Sequence, residues 1–193
     1  MLGNPKNNWA FKMNSDDFQR VRQLMIDCVL ATDMSLHFQK FNALKGKVTS
    51  QGWRPCNDDE KRELTTFAFH LADISNPVKS WQVSRDWTDL LYVEFFAQGD
   101  LERELNFPIS QLFDRHTTNI AKSQIGFFNF IIRPSYQMLT NVCPELEFLL
   151  KALDDNQARW TERFDEYESK MKSGNKHMEE IIKAKKLPGY SPA

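Results

Sequence analysis

The sequence predicts an all-α fold, and three observations carry that prediction. Apolar residues recur at the three- and four-residue spacing of a helix face through most of the 193 residues. Glycine (7) and proline (8) are few while phenylalanine (15) is plentiful, which suits long helices with bulky seams. No segment reads convincingly as a strand, and no internal repeat is visible.

Five helical segments follow in order. The first is expected over 15–44, with Ser15 as N-cap and Asp16 and Asp17 on the positive end of the helix dipole. Its apolar stripe is Phe18, Val21, Leu24, Met25, Cys28 and Val29, continued by Phe38, Phe41 and Leu44, with Gly46 as terminator. A loop follows over 47–55. The second helix starts near Asn57, which has Glu60 three residues on, the spacing of a capping box. Leu64, Phe67, Ala68 and Leu71 form its buried face, and Pro77 ends it.

The third helix spans 81–105 with Trp87, Leu91 and Phe95 at i, i+4 and i+8, and a bend is expected at Gln98-Gly99-Asp100. After a loop over 107–117, a fourth helix covers 119–139, with Ile125, Phe128 and Ile132 on one side. Pro134 should kink or split it. The last helix covers 144–171, with Leu146, Leu149, Leu150, Leu153 and Trp160 inward. The organisation is therefore an N-terminal extension (1–14), one helical domain (15–172) and a basic tail (173–193) that reads as flexible.

Bulk properties narrow the function. A formal net charge of −1 argues against a broad nucleic-acid-binding surface. No apolar run reaches membrane-spanning length, and the first residues lack the apolar region of a signal peptide. Cys28, Cys56 and Cys143 are widely spaced and odd in number, so they read as free thiols in a reducing compartment; the cytoplasm is the expected location.

Several residues carry candidate chemistry. Asp73, in His-Leu-Ala-Asp-Ile-Ser-Asn-Pro, ends an apolar helical run and is either a metal ligand or a helix-end carboxylate. Gln124, flanked by apolar residues, has an amide that both donates and accepts, so it can read the edge of a nucleobase; a satisfied half-buried amide is the plainer reading. Phe127, three positions on, shares its face and could stack the same base, or be an ordinary core aromatic. Thr32-Asp33 sits in an otherwise apolar stretch and is either a buried carboxylate with a partner or a solvent-facing turn. His70 and Asp73 could share a face but make an incomplete site, and the other histidines have no ligand spacing to each other. There is no Ser-His-Asp or Cys-His nucleophile pattern and no glycine-rich phosphate loop.

Four stretches stand in order along the chain: Leu-Ala-Thr-Asp-Met-Ser (30–35), Ala-Asp-Ile-Ser-Asn-Pro (72–77), Glu-Phe-Phe-Ala-Gln-Gly-Asp (94–100) and Lys-Ser-Gln-Ile-Gly-Phe (122–127). In this order and spacing they resemble the class I cyclic nucleotide phosphodiesterases, over roughly 17–160. The resemblance implies an all-α, multi-helix bundle, the C-terminal part of the HD-type phosphodiesterase catalytic domain. It implies that Asp73 is a ligand in a two-metal centre of zinc with magnesium or manganese, with Thr32 and Asp33 beneath the metals. It implies that Gln124 hydrogen-bonds the purine, that Phe127 and Leu91 clamp it, that Asn76 lies beside it, and that Trp87 and Phe95 wall the pocket.

The implied reaction is hydrolysis of a 3′,5′-cyclic phosphate to a 5′-monophosphate in signal transduction, by a metal-activated hydroxide with a histidine as general acid. cAMP is favoured, with cGMP left open.

The sequence also departs from the family. The His-Asn-x-x-His stretch and the His-Asp pair, which supply the other ligands and the general acid, do not occur before Leu30. The expectation is a fragment that is inactive by itself, needing a missing N-terminal catalytic segment as partner and exposing the apolar face that would receive it. The relatively small Ser84 stands where relatives often carry a larger aromatic. A homodimer, a non-catalytic nucleotide-binding or regulatory module, and a purely structural bundle are the alternatives left standing.

Overall fold

The computed structural model describes residues 8–48 and 53–172, and within them every regular element is helical. The elements are α1 (Ser15–Ala31), α2 (His37–Lys47), α3 (Asp58–Asp73), α4 (Trp81–Glu104), α5 (Ile120–Phe127), α6 (Arg133–Val142) and α7 (Phe148–Lys172). Short 3₁₀ turns occupy Met34–Leu36, Asn76–Val78 and Pro144–Leu146, and a π segment occupies Phe128–Ile132. The described residues divide into two compact units, one of those within 8–74 with 141–143 and one of those within 75–140 with 144–172. The tail expected over 173–193 lies outside the described residues.

In the first unit, the helix expected over 15–44 is two helices. The break falls at Thr32-Asp33, because both side chains take backbone groups away from a continuing helix. Thr32 Oγ1 donates to Val29 O at 2.8 Å, and Asp33 Oδ1 accepts from Ser35 N at 2.8 Å, capping the 3₁₀ turn. The cap of α1 is Asn14 rather than Ser15; its Oδ1 accepts from Asp17 N at 2.8 Å. Gly46 does not stop α2, which runs on to Lys47. Asn57 caps α3 by accepting from Glu60 N at 2.9 Å. The reciprocal arm of the capping box goes one residue further out, with Glu60 Oε2 accepting from Cys56 N at 2.7 Å. Helix α3 ends at Asp73, four residues before the expected stop at Pro77, and that proline sits inside the following 3₁₀ turn.

Helix α3 packs against both α1 and α2. The core of this unit holds Cys28, Ala31, Leu44, Phe67 and Leu71, all buried. Fully burying a side chain the size of Phe67 or Leu71 contributes on the order of 1.5–3 kcal/mol. The predicted α1 stripe is only partly inward: Phe18 and Val21 are half-buried, whereas Leu24, Met25 and Val29 are exposed, as is Phe38 on α2. Between α1 and α3, Arg62 Nε meets Asp27 Oδ2 at 2.5 Å, and Lys47 pairs with Glu63 between α2 and α3.

Two histidines lie in this core. His37 and His70 are 1% and 0% exposed, and His37 Nδ1 is 3.0 Å from His70 Nε2. One ring must donate and the other accept, so the accepting ring is neutral, and burial disfavours a charge on either. Burial pushes both imidazoles below the ordinary histidine range; nearby His70 adds to this for His37, while for His70 the carboxylate of Asp73 opposes it and Lys40 adds to it.

In the second unit, α4 and α5 both lie against α7, and the turn Asn76–Val78 lies against α4 and α7. Its core is Val78, Tyr92, Phe96, Phe128, Ile132, Tyr136, Leu153 and Trp160. Helix α4 runs unbroken through Gly99. Glycine is required there because a Cβ would lie 2.0 Å from Phe113 O, so the residue is kept small for close approach of the loop. That loop is tied down by α4: Glu102 accepts from Ser110 N and Ser110 Oγ, Arg103 pairs with Asp114 at 2.7 Å, and Arg115 forks onto Asp100. Two of its residues, Asn106 (φ 57°) and Leu112 (φ 74°), are left-handed, which costs a leucine more than an asparagine.

Pro134 splits the fourth predicted helix as expected. Proline offers no N–H to the preceding turn and its ring crowds the carbonyl four residues back, and the chain widens into the π segment just before it. Asn119 caps α5 by accepting from Lys122 N at 2.9 Å. The last helix starts at Phe148, later than the expected 144, because Pro144–Leu146 forms a separate 3₁₀ turn.

Two outcomes follow. The unfolded chain's histidines titrate near about 6.5 and the folded ones lower, so between those values the unfolded state binds more protons. The stability from the neutral pair is full above about pH 6.5 and is lost as pH falls through the folded values. Melting curves taken between about pH 8 and about pH 5 should therefore show a falling Tm, and His70→Leu should flatten the slope; a wild-type Tm flat over that range sinks the assignment. Gly99→Ala should destabilise the second unit by roughly 1–3 kcal/mol or more, since the obstacle is backbone. Chemical denaturation measures it, and an unchanged midpoint would show that the loop yields freely.

Candidate functional site

The buried row of α4 determines what the site can do. Ser84, Thr88, Tyr92 and Phe96 recur every four residues and are all buried. The row singled out from the sequence lies one residue to the side: Trp87 is 61% exposed, Leu91 is 38% exposed, and Phe95 is half-buried. Phe95 stacks on Phe113 with ring centroids 4.1 Å apart and meets Tyr92 edge-on at 5.7 Å.

Gln124 comes from α5 and is 4% exposed. Its Oε1 lies 3.4 Å from Thr88 Oγ1, which in turn lies 2.9 Å from Ser84 O and 3.5 Å from Asn76 Nδ2. A threonine hydroxyl has one proton, and the shorter bond to Ser84 O claims it. Thr88 therefore meets the other two groups with its lone pairs. Asn76 Nδ2 donates to them. Gln124 does so when its amide is turned to bring Nε2 to Thr88, and Thr88 donates to Oε1 when it releases Ser84 O.

Tyr92 faces the same group, its phenol pushed above the ordinary range by burial, with the Ser123 and Gln124 side chains acting in the opposite sense. Ser84 Oγ is buried and has no hydrogen-bond partner among the described residues. The result is a polar cluster of three hydroxyls and two amides, with Phe127 half-buried one turn beyond Gln124. Such a cluster can hold a planar ligand edge that both donates and accepts. Sequence reasoning passed over Thr88 and Tyr92, although their four-residue spacing from Ser84 marks them as one face.

Asp73 belongs to the first unit. It is the last residue of α3 and is exposed. Thr32 and Asp33, in the same unit, spend their side chains on the local caps described above; Asp33 is exposed, so the solvent-facing turn is what forms. His70, one turn before Asp73, has its Nδ1 buried without a partner among the described residues. No group of three His, Cys, Asp or Glu side chains able to hold a metal occurs among the described residues. The donor set there does not fit a two-metal centre. Clefts of this unit lie elsewhere; one, a space of about 320 Å³, is lined by residues such as Asp27, Lys40, Arg62 and Glu63.

The model of the 3′,5′-cyclic nucleotide phosphodiesterase family matches residues 1–153. The chain belongs to that family. It is 41% identical over 142 residues to the dual specificity calcium/calmodulin-dependent 3′,5′-cyclic nucleotide phosphodiesterase 1B of Bos taurus, a match covering 74% of this chain and 26% of the relative. With the 1C enzyme of Homo sapiens the identity is 40% over 139 residues, covering 72% and 19%. The phosphodiesterase domain of Salpingoeca rosetta rhodopsin phosphodiesterase superposes with a TM-score of 0.81 at 30% identity, covering 89% of this chain and 53% of that one. The all-α phosphodiesterase fold expected from the sequence is thus the fold found. The chain spans about a quarter or less of the length of these curated relatives. No helix among the described residues is long and apolar enough to cross a membrane.

Thr88→Val keeps the shape and removes the shared hydroxyl. It should cost roughly 1–2 kcal/mol, because Asn76 and Gln124 lose a buried partner. Denaturant titration reads the loss, and the side-chain amide resonances of both residues should move; unmoved resonances would show that Thr88 does not hold them.

Proposed function

We propose that this chain contributes the nucleotide-binding half of a 3′,5′-cyclic nucleotide phosphodiesterase. The observation that carries the reading is the buried amide of Gln124 among hydroxyl partners, within a chain of this family. In this reading Gln124 hydrogen-bonds the purine edge, and Phe127 and Leu91 close on its faces. Asn76 meets the base from the turn, and Trp87 and Phe95 form the wall. The partial exposure of Phe127, Leu91 and Trp87 supports it, because an aromatic or aliphatic side chain that stacks on a ligand has to be reachable.

Both orientations of the Gln124 amide find hydrogen-bonding partners, so adenine and guanine are both accommodated. We favour cAMP, because the Asn76 amide offers both a donor and an acceptor. The relatives named dual specificity are consistent with acceptance of both.

Asp73 is the one metal ligand assigned within the chain, with Thr32 and Asp33 as supporting residues near the centre. The complete centre would hold zinc with magnesium or manganese. Its remaining ligands and the general acid would come from a segment matching the rest of the phosphodiesterase domain, and the exposed apolar side chains of the first unit, Leu24, Met25, Val29 and Phe38 among them, suit contact with it. The described residues account for binding and orientation; no bond-breaking step is assigned to them. A second reading, nucleotide binding without hydrolysis, is favoured by the same shortage of ligating side chains among the described residues. We place the activity in cytoplasmic signal transduction, supported by three free cysteines, and leave a homodimer as an arrangement to be tested.

Calorimetric titration with cAMP and with cGMP decides between these readings and a purely structural bundle. Binding of either nucleotide, weakened at least about tenfold by Gln124→Ala, is the expected result. Equal heats for wild type and variant would remove Gln124 from the site, and no heat with either nucleotide would favour the structural bundle.

A further inference from the structure

Asn156 lies in the first half of α7, faces inward and is 1% exposed. Its Nδ2 donates to two backbone carbonyls, Pro77 O and Lys79 O, each at 2.8 Å. These two bonds use both of its amide protons. The turn they hold does not satisfy those carbonyls itself. Its available N–H groups go elsewhere, Val78 N to Ser75 O at 3.0 Å and Lys79 N to Asn76 O at 3.2 Å, and Pro77 has none. Pro77 O is buried and Lys79 O partly so, and a buried carbonyl without a donor is costly, so the α7 amide favours this resting place of the turn.

The turn carries Asn76, whose Nδ2 donates to Thr88 Oγ1 at 3.5 Å, and Thr88 meets Gln124 at 3.4 Å. The next residue of α7 bonds groups that follow α5 along the chain. Gln157 Oε1 accepts from Arg133 Nη2 at 2.7 Å, and Gln157 Nε2 donates to Asn129 Oδ1 at 2.9 Å. Asn129 is in the π segment that follows α5, and Arg133 comes directly after it. Consecutive amides on one helix thus fasten both elements that flank Gln124.

We propose that Asn156 is a positioning residue for the base pocket: it fixes the turn Asn76–Val78 so that Asn76, and through Thr88 the amide of Gln124, stand in register for a nucleobase. The nucleotide consequence rests on the reading given under Proposed function; the positioning of the two amides does not.

The test compares Asn156→Leu, which has similar volume and no donors, and Asn156→Ser, which keeps one donor, with Leu153→Ala on the same helix. Leu153 is fully buried, so its loss lowers stability without touching the turn. In the folded proteins without ligand, the side-chain amide resonances of Asn76 and Gln124 should shift in Asn156→Leu, shift less in Asn156→Ser and stay in place in Leu153→Ala. Affinity for cAMP should fall about ten- to a hundredfold in Asn156→Leu and stay near the wild-type value in Leu153→Ala. Should Asn156→Leu not fold, Asn156→Ser carries the comparison. Unmoved Asn76 and Gln124 amides in a folded Asn156 variant overturn the proposal. Failure of cAMP to perturb the Gln124 amide of the wild type would instead count against the nucleotide reading, while the ligand-free spectra still decide the role of Asn156.

Discussion

Buried polar groups must find partners within the fold, and in the second unit that requirement falls on a few amides. Asn156 answers the carbonyls of the turn at 76–79, and nearer the surface Gln157 joins Arg133 to Asn129 across the π segment. Gln124 and Asn76 both meet the hydroxyl of Thr88. The apolar residues around them, Phe96, Phe128, Ile132 and Leu153, supply the driving force for collapse but no direction. Direction comes from the amides, because each has fixed donors and acceptors and tolerates few arrangements once water is excluded. The same property that makes the cluster a constraint on folding makes it able to distinguish the edges of a ligand.

Pro134 contributes in a related way. By removing a donor from the helix it leaves a wider turn at Phe128–Ile132, and that turn separates α5, which carries Gln124 and Phe127, from α6. The hydroxyl that follows Pro134 bonds back onto the π segment: Ser135 Oγ donates to Ile131 O at 2.6 Å. A break in regular structure thus sits close to the residues proposed to bind the base, as π segments often do.

Much of this was legible in the sequence. The helical class, the cap at Asn57, the extent of α4 and the disruption at Pro134 follow from local rules of spacing and hydrogen-bonding capacity. The break after Ala31 was missed because Phe38, Phe41 and Leu44 continue the apolar period across it, and periodicity does not register a two-residue interruption capped by Thr32 and Asp33. At Gly99 a glycine in a helix suggests a bend, but the need for it in the structure lies in a segment distant in sequence, the carbonyl of Phe113. The Asn156 bonds span 77 and 79 residues and leave no local trace at all. The His37–His70 pairing is hidden for the same reason, being set by how α2 meets α3.

Helix α4 shows why site residues and core residues are easily exchanged in such a reading. Successive residues are rotated by about 100°, so rows one residue apart are neighbours on the surface. The row of Ser84, Thr88, Tyr92 and Phe96 is sealed in the unit, and the row of Trp87, Leu91 and Phe95 runs along its margin with progressively less exposure. A side chain that stacks on a ligand cannot be spent on the core, yet it must be supported by it. The apolar row most visible in the sequence was therefore the marginal one, while the supporting row escaped notice because its first two members, serine and threonine, carry little hydrophobicity. Helix α5 repeats the arrangement on a shorter scale: Gln124 is buried, Phe127 is half-buried beside it, and Phe128 at its end is sealed in the core. On both helices the polar buried residue and the reachable aromatic are adjacent rows of one surface, which is the geometry a base-binding edge and a base-stacking face require together.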